Sequence, residues 1–186
     1  MLMLYNGIIP KERMDAAMSC TTKTVMADAL RELMRKRPVS KITVGDICEQ
    51  CGMNRKSFYY HFHDKYDLIN WIFRKEYSAA AESAPQQDRL LTLCNYLMSE
   101  HAFYRAALQP LDGNRLVPEL DEALRGILYA RLSPVLSGTD APELTACVIG
   151  CRSVIISWLQ AGCGTTANAL VRTIYRAGGL MGRMSC

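Results

Sequence analysis

Residues 54–61 interleave hydrogen-bond donors with aromatic rings over about two helical turns. The side chains in this segment that are suited to contact a nucleic acid are Asn54, Arg55, Lys56, Tyr59, Tyr60 and His61. Arginine and lysine donate to O6 and N7 of guanine, and an aromatic ring can contact a thymine methyl. Because adjacent tyrosines cannot share a helical face, we expect one of Tyr59 and Tyr60 to contact DNA and the other to support the helix. Core packing is the alternative for each. The chemistry indicated is the reading of double-stranded DNA.

Phosphate contacts are expected on both sides of this segment. Thr43 and Lys65 stand at the predicted starts of the flanking helices, and His61 stands at the end of the segment. Helix N-termini favour phosphate because their free N–H groups and the helix dipole attract anions. Such contacts position a protein on DNA without reading its sequence. Lys23 and Lys41 are further candidates, with an ordinary solvated charge as the alternative.

The charge of the chain is unevenly distributed. Residues 1–77 hold 13 Lys and Arg against 9 Asp and Glu, whereas residues 78–186 hold 9 of each. All seven lysines lie in the first part (Lys11, Lys23, Lys36, Lys41, Lys56, Lys65 and Lys75). A positive excess at one end is expected where that end meets a polyanion. A lysine-rich solvated surface is the alternative.

The elements that position these residues are short helices with clear start signals. A helix with one apolar stripe is predicted from Thr22 until shortly before Pro38. Three helices follow, and each begins with a side chain that can accept hydrogen bonds from its first turn. These side chains are Thr43 (with Asp46 in a capping box), Asn54 and Asp64. Gly52 supplies the turn between the second and third helices, and this spacing is that of a helix-turn-helix.

The rest of the chain continues with helical periodicity, and no strand-like alternation occurs. Helices are predicted near 87–108, 118–132, 141–161 and 165–181, so the fold class is all-α. We predict an N-terminal arm over residues 1–20, a three-helix DNA-binding domain over 21–68 and a larger helical effector and dimerisation domain over 69–186. The 141–161 segment is apolar nearly all round, which predicts a central body helix, a subunit interface, or both.

Several other classes of protein are disfavoured. The eight cysteines mostly occupy apolar helical positions and no secretion signal is recognised, so we expect reduced thiols in a cytoplasmic protein. Cys48 and Cys51 have zinc-like spacing but lack a second Cys/His pair, so no metal is expected. The apolar stretch 146–159 contains Arg152 and is judged too short for a bilayer. No catalytic constellation or phosphate-cradling glycine loop is recognisable, so we expect neither an enzyme nor a cofactor.

The first third of the chain resembles the tetracycline-repressor (TetR) family of regulators. The segments that carry this resemblance are Ile42-Thr43-Val44-Gly45-Asp46-Ile47, then Cys51-Gly52-Met53-Asn54-Arg55-Lys56-Ser57-Phe58-Tyr59-Tyr60-His61-Phe62, then Asp64-Lys65. In the body, 103–108 and 150–159 resemble the dihydroxyacetone-kinase regulators within that family. Gly45 departs from the pattern, because the family often has a longer polar residue there that could contact a phosphate.

The resemblance implies a homodimer with two DNA-reading heads and a body that often binds a small molecule. We therefore expect a DNA-binding transcriptional regulator, acting as a ligand-responsive repressor at a palindromic operator, with the dimer formed by the helices near 141–161 and 165–181. The alternative is a co-regulator or activator that acts by docking another protein. The effector is not identified by the sequence. Its candidate pocket residues, which could equally be core, are Leu97, Met98, His101, Tyr104, Tyr129 and Trp158.

Overall fold

The computed structural model describes residues 11–84, 88–109, 115–133, 138 and 141–177, with side chains described from residue 21 onward. All the α-helices and the one short 3₁₀ turn in these ranges are given in chain order. They are α1 (Lys11–Lys36), the turn Val39–Lys41, α2 (Val44–Cys51), α3 (Arg55–His61), α4 (Lys65–Ser83), α5 (Arg89–Ser99), α6 (His101–Ala107), α7 (Val117–Leu132), α8 (Pro142–Gln160) and α9 (Ala167–Ala177). The all-α class is confirmed.

α1 begins earlier than the apolar pattern predicted. It runs over 26 residues from Lys11, so residues 11–20 of the predicted arm are helical, while residues 1–10 lie outside the described ranges. The added segment holds one Lys, one Glu, one Arg, two Met and two Ala, which are good helix formers without needing an apolar stripe. The helix ends at Lys36, two residues before Pro38, as expected.

The predicted caps of the next three helices are confirmed. The Thr43 hydroxyl accepts from the Asp46 N–H at 3.2 Å, and the Asp46 carboxylate accepts from the Thr43 N–H at 2.7 Å. Asn54 Oδ1 accepts from the Ser57 N–H at 2.8 Å. Between these helices Gly52 adopts a φ of 66°, a left-handed conformation that side chains resist. Local chemistry therefore fixes where α2 and α3 begin.

The first four helices bury a shared core. The fully buried side chains that join them include Met26, Leu30, Ile47, Phe58, Leu68 and Ile72. Trp71 lies at the edge of this core, with its ring 5.9 Å from that of Phe62 and the Lys75 ammonium 4.8 Å from its centroid. We call this four-helix unit, residues 21–77, the head.

α4 is longer than predicted and connects the head to the rest of the chain. Asp64 caps it by accepting from the N–H groups of Tyr66 and Asp67, and it continues over 19 residues to Ser83. The predicted boundary at 68/69 therefore falls inside a continuous helix, and the division into domains stays a prediction. We call the part formed by α5–α9 the body.

The predicted helix near 87–108 is two helices, because the backbone turns at Glu100 (φ −110°, ψ 26°). Neither Gly nor Pro marks this break. It coincides with a polar network in which Arg31 of α1 binds both Glu100 and, at 2.5 Å, Glu76 of α4. The Tyr96 hydroxyl adds to it by donating to Glu76 at 2.9 Å and contacting the Tyr104 hydroxyl. This network ties α1 and α4 to α5 and α6.

The body helices are joined by apolar packing and by one central carboxylate. α8 packs mainly on α7, and α9 packs on α5. Asp88 caps α5 through the Leu90 N–H and also accepts from the Tyr175 hydroxyl at 2.6 Å and from Arg131 at 3.1 Å. Trp158 lies in the body, where its indole N–H donates to the Thr165 carbonyl at 3.0 Å.

α8 has an unusual surface for a body helix. It is 19 residues long with a mean hydropathy of 1.3, so its length and composition alone would suit a membrane span. On the sequence alone, the shorter apolar stretch 146–159, which contains Arg152, is expected to be too short for one. One such helix is weak support for a membrane protein, because the core helices of globular domains have the same properties. Arg152 pairs with Asp121 of α7 at 2.5 Å, and Leu144, Ile155 and Leu159 are fully buried. On the same helix, Ile149 and Val154 are 47% and 41% exposed.

Candidate nucleic-acid interface

The outer face of α3 presents the side chains that the sequence singled out. Phe58 is fully buried and holds the helix on the head core. Tyr59 and Tyr60 are 58% and 83% exposed, so neither is a core residue. Arg55 and Lys56 are exposed in the first turn. The helix therefore presents two cations and two aromatic rings to the outside.

Lys41 lies beside this surface and was left among the weaker candidates by the sequence. It is exposed at the end of the 3₁₀ turn, directly before the α2 start. Within the described part of the chain, Lys41, Arg55 and Lys56 make no ion pair with a carboxylate. The signal that could have found Lys41 is its position two residues before the Thr43 cap.

The α2 start is exposed but already holds an internal anion. Besides capping the helix, the Thr43 hydroxyl donates to Asp46 Oδ2 at 2.8 Å. Arg37 approaches the same oxygen at 3.1 Å. The hydrogen bonds from the Thr43 N–H and hydroxyl, followed by Arg37, lower the pKa of Asp46. A phosphate at Thr43 would therefore share its hydroxyl with a carboxylate that stays ionised.

Lys65 directs its ammonium inward, to the backbone that precedes α2. Its Nζ donates to the carbonyls of Val39 at 2.6 Å, Ile42 at 2.7 Å and Ser40 at 3.4 Å. The side chain thereby links the α4 start to the turn before α2. This contact was not foreseen from the sequence, because the partners are 23 to 26 residues away. Lys65 as a phosphate contact stays a prediction.

His61 closes the surface at the end of α3. Its ring lies 4.8 Å from that of Tyr60. Burial, with Lys23 as a second cause, lowers the pKa of His61 below its ordinary value of 6.5. Both causes favour the neutral imidazole over the imidazolium.

The described residues give little support for a metal site or for an enclosed effector pocket. The six cysteines at described positions are free thiols, and in the described ranges no three His, Cys, Asp or Glu side chains are grouped to hold a metal. Of the candidate pocket residues, Leu97, Tyr104 and Trp158 are buried in the core, and Met98 and Tyr129 are half-buried. His101 is exposed and lines an open cleft of about 250 Å³ beside Arg31.

Comparison with known proteins supports the interpretation of the head. Residues 27–72 match the family described as bacterial regulatory proteins, tetR family. The chain is 29% identical over 91 residues to the HTH-type dhaKLM operon transcriptional activator DhaS of Lactococcus lactis subsp. lactis (strain IL1403). The aligned part is 47% of this chain and 49% of DhaS, so it spans about half the length of that curated relative.

The fold resembles solved structures along most of the chain. A structure of the dihydroxyacetone kinase operon activator DhaS superposes with a TM-score of 0.56 at 20% identity, covering 88% of this chain and 96% of DhaS. A TetR transcriptional regulator from Streptococcus agalactiae 2603V gives a TM-score of 0.60 at 18% identity, covering 90% and 99%. Residues 27–72 of the head therefore match the tetR family of bacterial regulatory proteins, and the fold of the chain is similar to those of DhaS and of a TetR transcriptional regulator.

Proposed function

We propose that the protein binds a palindromic operator as a homodimer in the cytoplasm, with α3 of each head in the major groove. The observation that carries this proposal is the outer face of α3, where exposed Arg55, Lys56, Tyr59 and Tyr60 surround a buried Phe58. In a helix-turn-helix the second helix enters the groove and its first residues meet base edges. Lys56 and Tyr60, the more exposed of the two tyrosines, are the proposed base contacts, while Tyr59 supports the helix through its ring contact with Phe58.

The backbone contacts that we propose surround this helix. Thr43 and His61 are the proposed phosphate contacts at its two sides, and Asn54 contributes through the cap that fixes the first turn of α3. Lys65 is proposed to act through its place at the start of α4, since its ammonium is engaged by carbonyls. These groups orient α3 on the duplex without reading its sequence.

Operator binding is tested by fluorescence anisotropy on fragments from the gene's own upstream region and from neighbouring promoters. Lys56→Ala and Tyr60→Ala should each weaken binding by about tenfold or more, since one good base contact contributes about 1–3 kcal/mol of discrimination. Arg105→Ala is the matched control, because it removes one exposed cation from the body and should leave affinity within about twofold. Equal losses in Lys56→Ala and Arg105→Ala, with Tyr60→Ala binding like wild type, would mean that net charge, and not the face of α3, determines binding.

We propose that the dimer forms through α8 and α9. These helices enclose an open apolar depression of about 360 Å³, lined by Ala146, Cys147, Gly150, Cys151, Val154, Ile174 and Ala177. Val154 of this lining and Ile149 on the same helix are exposed, so a second copy can place its own side chains there by two-fold symmetry. Contiguous exposed apolar surface of this kind is typical of an interface.

Sedimentation equilibrium tests the dimer. Val154→Glu places a charge in the proposed interface and should raise the dimer dissociation constant by about 100-fold or more, since an unpaired charge is strongly disfavoured at a buried contact. Ser78→Glu, at an exposed position of α4, is the control and should leave the dimer intact. A wild-type protein that is monomeric, or that sediments only with lipid vesicles, would contradict the proposed interface.

The direction of regulation has two candidates. The sequence favoured a ligand-responsive repressor, whereas the curated relative is named a transcriptional activator, which favours activation. A promoter–reporter strain with and without the gene distinguishes them by the sign of the change in expression. A small-molecule effector is part of the proposal, and a thermal-shift screen would identify it because a ligand of the folded state raises Tm.

A further inference from the structure

Gly45 is the feature of the head that the proposed function does not explain. It lies in the first turn of α2 and is not among the glycines with positive φ, so its backbone conformation is open to any residue. Glycine inside a helix costs roughly 0.5–1 kcal/mol relative to alanine. What distinguishes the position is the space beside it.

The Arg55 guanidinium occupies that space. A Cβ built on Gly45 would lie 2.7 Å from Arg55 Nη2 and 3.4 Å from Arg55 Cζ, and the first distance is shorter than real Cβ contacts. The same Cβ would lie 3.4 Å from the Thr43 hydroxyl oxygen. The side chain of Arg55 therefore reaches back from α3 onto the first turn of α2, and a Cβ at residue 45 would make the end of this flexible side chain move away from that place.

Arg55 lies beside Gly45 without a carboxylate partner among the described residues. The other arginines with described side chains in the head (Arg31, Arg35, Arg37 and Arg74) each pair with a Glu or Asp. The nearby carboxylate of Asp46 is engaged by Arg37 and Thr43. In the described ranges, Arg55 has neither an ion pair nor a hydrogen bond through its guanidinium. Its N–H groups are exposed and available to an outside anion.

We propose that Gly45 is a positioning residue that seats Arg55 between α2 and α3, where Arg55 binds a DNA phosphate and reads no base. The proposal rests on the proposed function. In a helix-turn-helix the first helix crosses the DNA backbone while the second enters the groove, so a guanidinium leaning on α2 faces the backbone. Its planar fork matches two phosphate oxygens. The guanine contact expected from the sequence is then left to Lys56.

The test compares Gly45→Ala, Arg55→Ala and the double variant on one operator and on a set of its single-base variants. Arg55→Ala should weaken binding by about tenfold and Gly45→Ala by less, because the methyl group displaces the guanidinium and does not remove it, while the ranking of the single-base variants stays unchanged. The salt slope of log K should fall by about one per head. The double variant should bind no more weakly than Arg55→Ala, because both changes remove the same contact.

The matched control is Gly126→Ala, which makes the same exchange within α7, where a Cβ meets nothing within 4 Å. Gly126→Ala should not alter DNA affinity. Gly45→Ala and Gly126→Ala should each keep or raise Tm, because alanine is a better helix former than glycine. The proposal is overturned if Gly45→Ala binds like wild type, or if Arg55→Ala relaxes preference at one base pair with an unchanged salt slope. Failure of the proposed function would look different: wild type itself would show no sequence-specific binding.

Discussion

Replacing Lys65 by methionine separates a structural role from a DNA contact. Lys65→Met keeps the length and apolar stem of the side chain and removes the ammonium. Two short hydrogen bonds are lost, to the carbonyls of Val39 (2.6 Å) and Ile42 (2.7 Å). The third, to Ser40, is 3.4 Å long and exposed and contributes little. At about 1.5 kcal/mol for each bond that involves a charged group, the lower end of the usual range because the site is partly buried, the free energy of unfolding should fall by ~2–4 kcal/mol.

Urea denaturation followed by far-UV circular dichroism measures this loss. With a slope of about 2 kcal/mol per M urea, the midpoint should move down by about 1–2 M. All samples need the same protein concentration, because the proposed dimer makes stability concentration-dependent. Lys56→Met is the matched control, since its ammonium is exposed and makes no ion pair in the described part of the chain. It should unfold like wild type.

In DNA binding, Lys56→Met should have the larger effect and Lys65→Met the smaller, the reverse of their effects on stability. Lys56→Met should weaken operator binding, whereas folded Lys65→Met should keep the wild-type salt slope because its ammonium is bound to carbonyls. The reasoning is refuted if Lys65→Met is as stable as wild type while its salt slope falls by about one per head. That result would show the ammonium on a phosphate and not on the backbone.

Three further outcomes are expected. Arg31→Met should lower the free energy of unfolding by ~1–3 kcal/mol, less than for a fully buried pair, because its two carboxylate partners are 37% and 39% exposed; unchanged thermal unfolding would contradict this. Burial, and then Lys23, lowers the pKa of His61. The resulting stability is complete above the ordinary pKa of about 6.5 and declines as the pH falls below it. His61→Gln should flatten that part of the pH profile of stability, and an NMR titration midpoint of His61 above about 6.5 would contradict the lowered pKa. Burial raises the pKa of Cys94 to about 12, so iodoacetamide at pH 8 should label it only after unfolding, as mass spectrometry would show; rapid labelling of the folded protein would disprove its burial.

The parts of this fold that were predicted from sequence are those fixed within a few residues. Thr43, Asn54 and Asp64 each satisfy N–H groups two or three positions ahead, so the starts of α2, α3 and α4 could be placed from residue type alone. Gly52 marks its turn for the same local reason. On α3, Phe58 is buried while Tyr59 and Tyr60 are both exposed, whereas the sequence predicted that one of the two tyrosines supports the helix; the DNA contacts stay a prediction.

The parts that were not predicted depend on residues far apart in sequence. Arg31 meets partners 45 and 69 positions away, and one of them coincides with the break between α5 and α6. The same holds for the Lys65 contact with the turn before α2, and for Arg55, whose position depends on the packing of α3 against α2. Periodicity and capping contain no information about such pairs.

The uninterrupted α4 has a consequence for how two heads find one operator. It contains neither Gly nor Pro between Lys65 and Ser83, so a stiff rod and not a tether leads from head to body. In the proposed dimer, once one head is bound, the second binds at an effective concentration set by that connection. A stiff connection concentrates the free head at a single separation. One inserted base pair shifts the second half-site by about 3.4 Å and turns it by about 35°. The protein should therefore select operators by the spacing of their half-sites as strictly as by their base sequence.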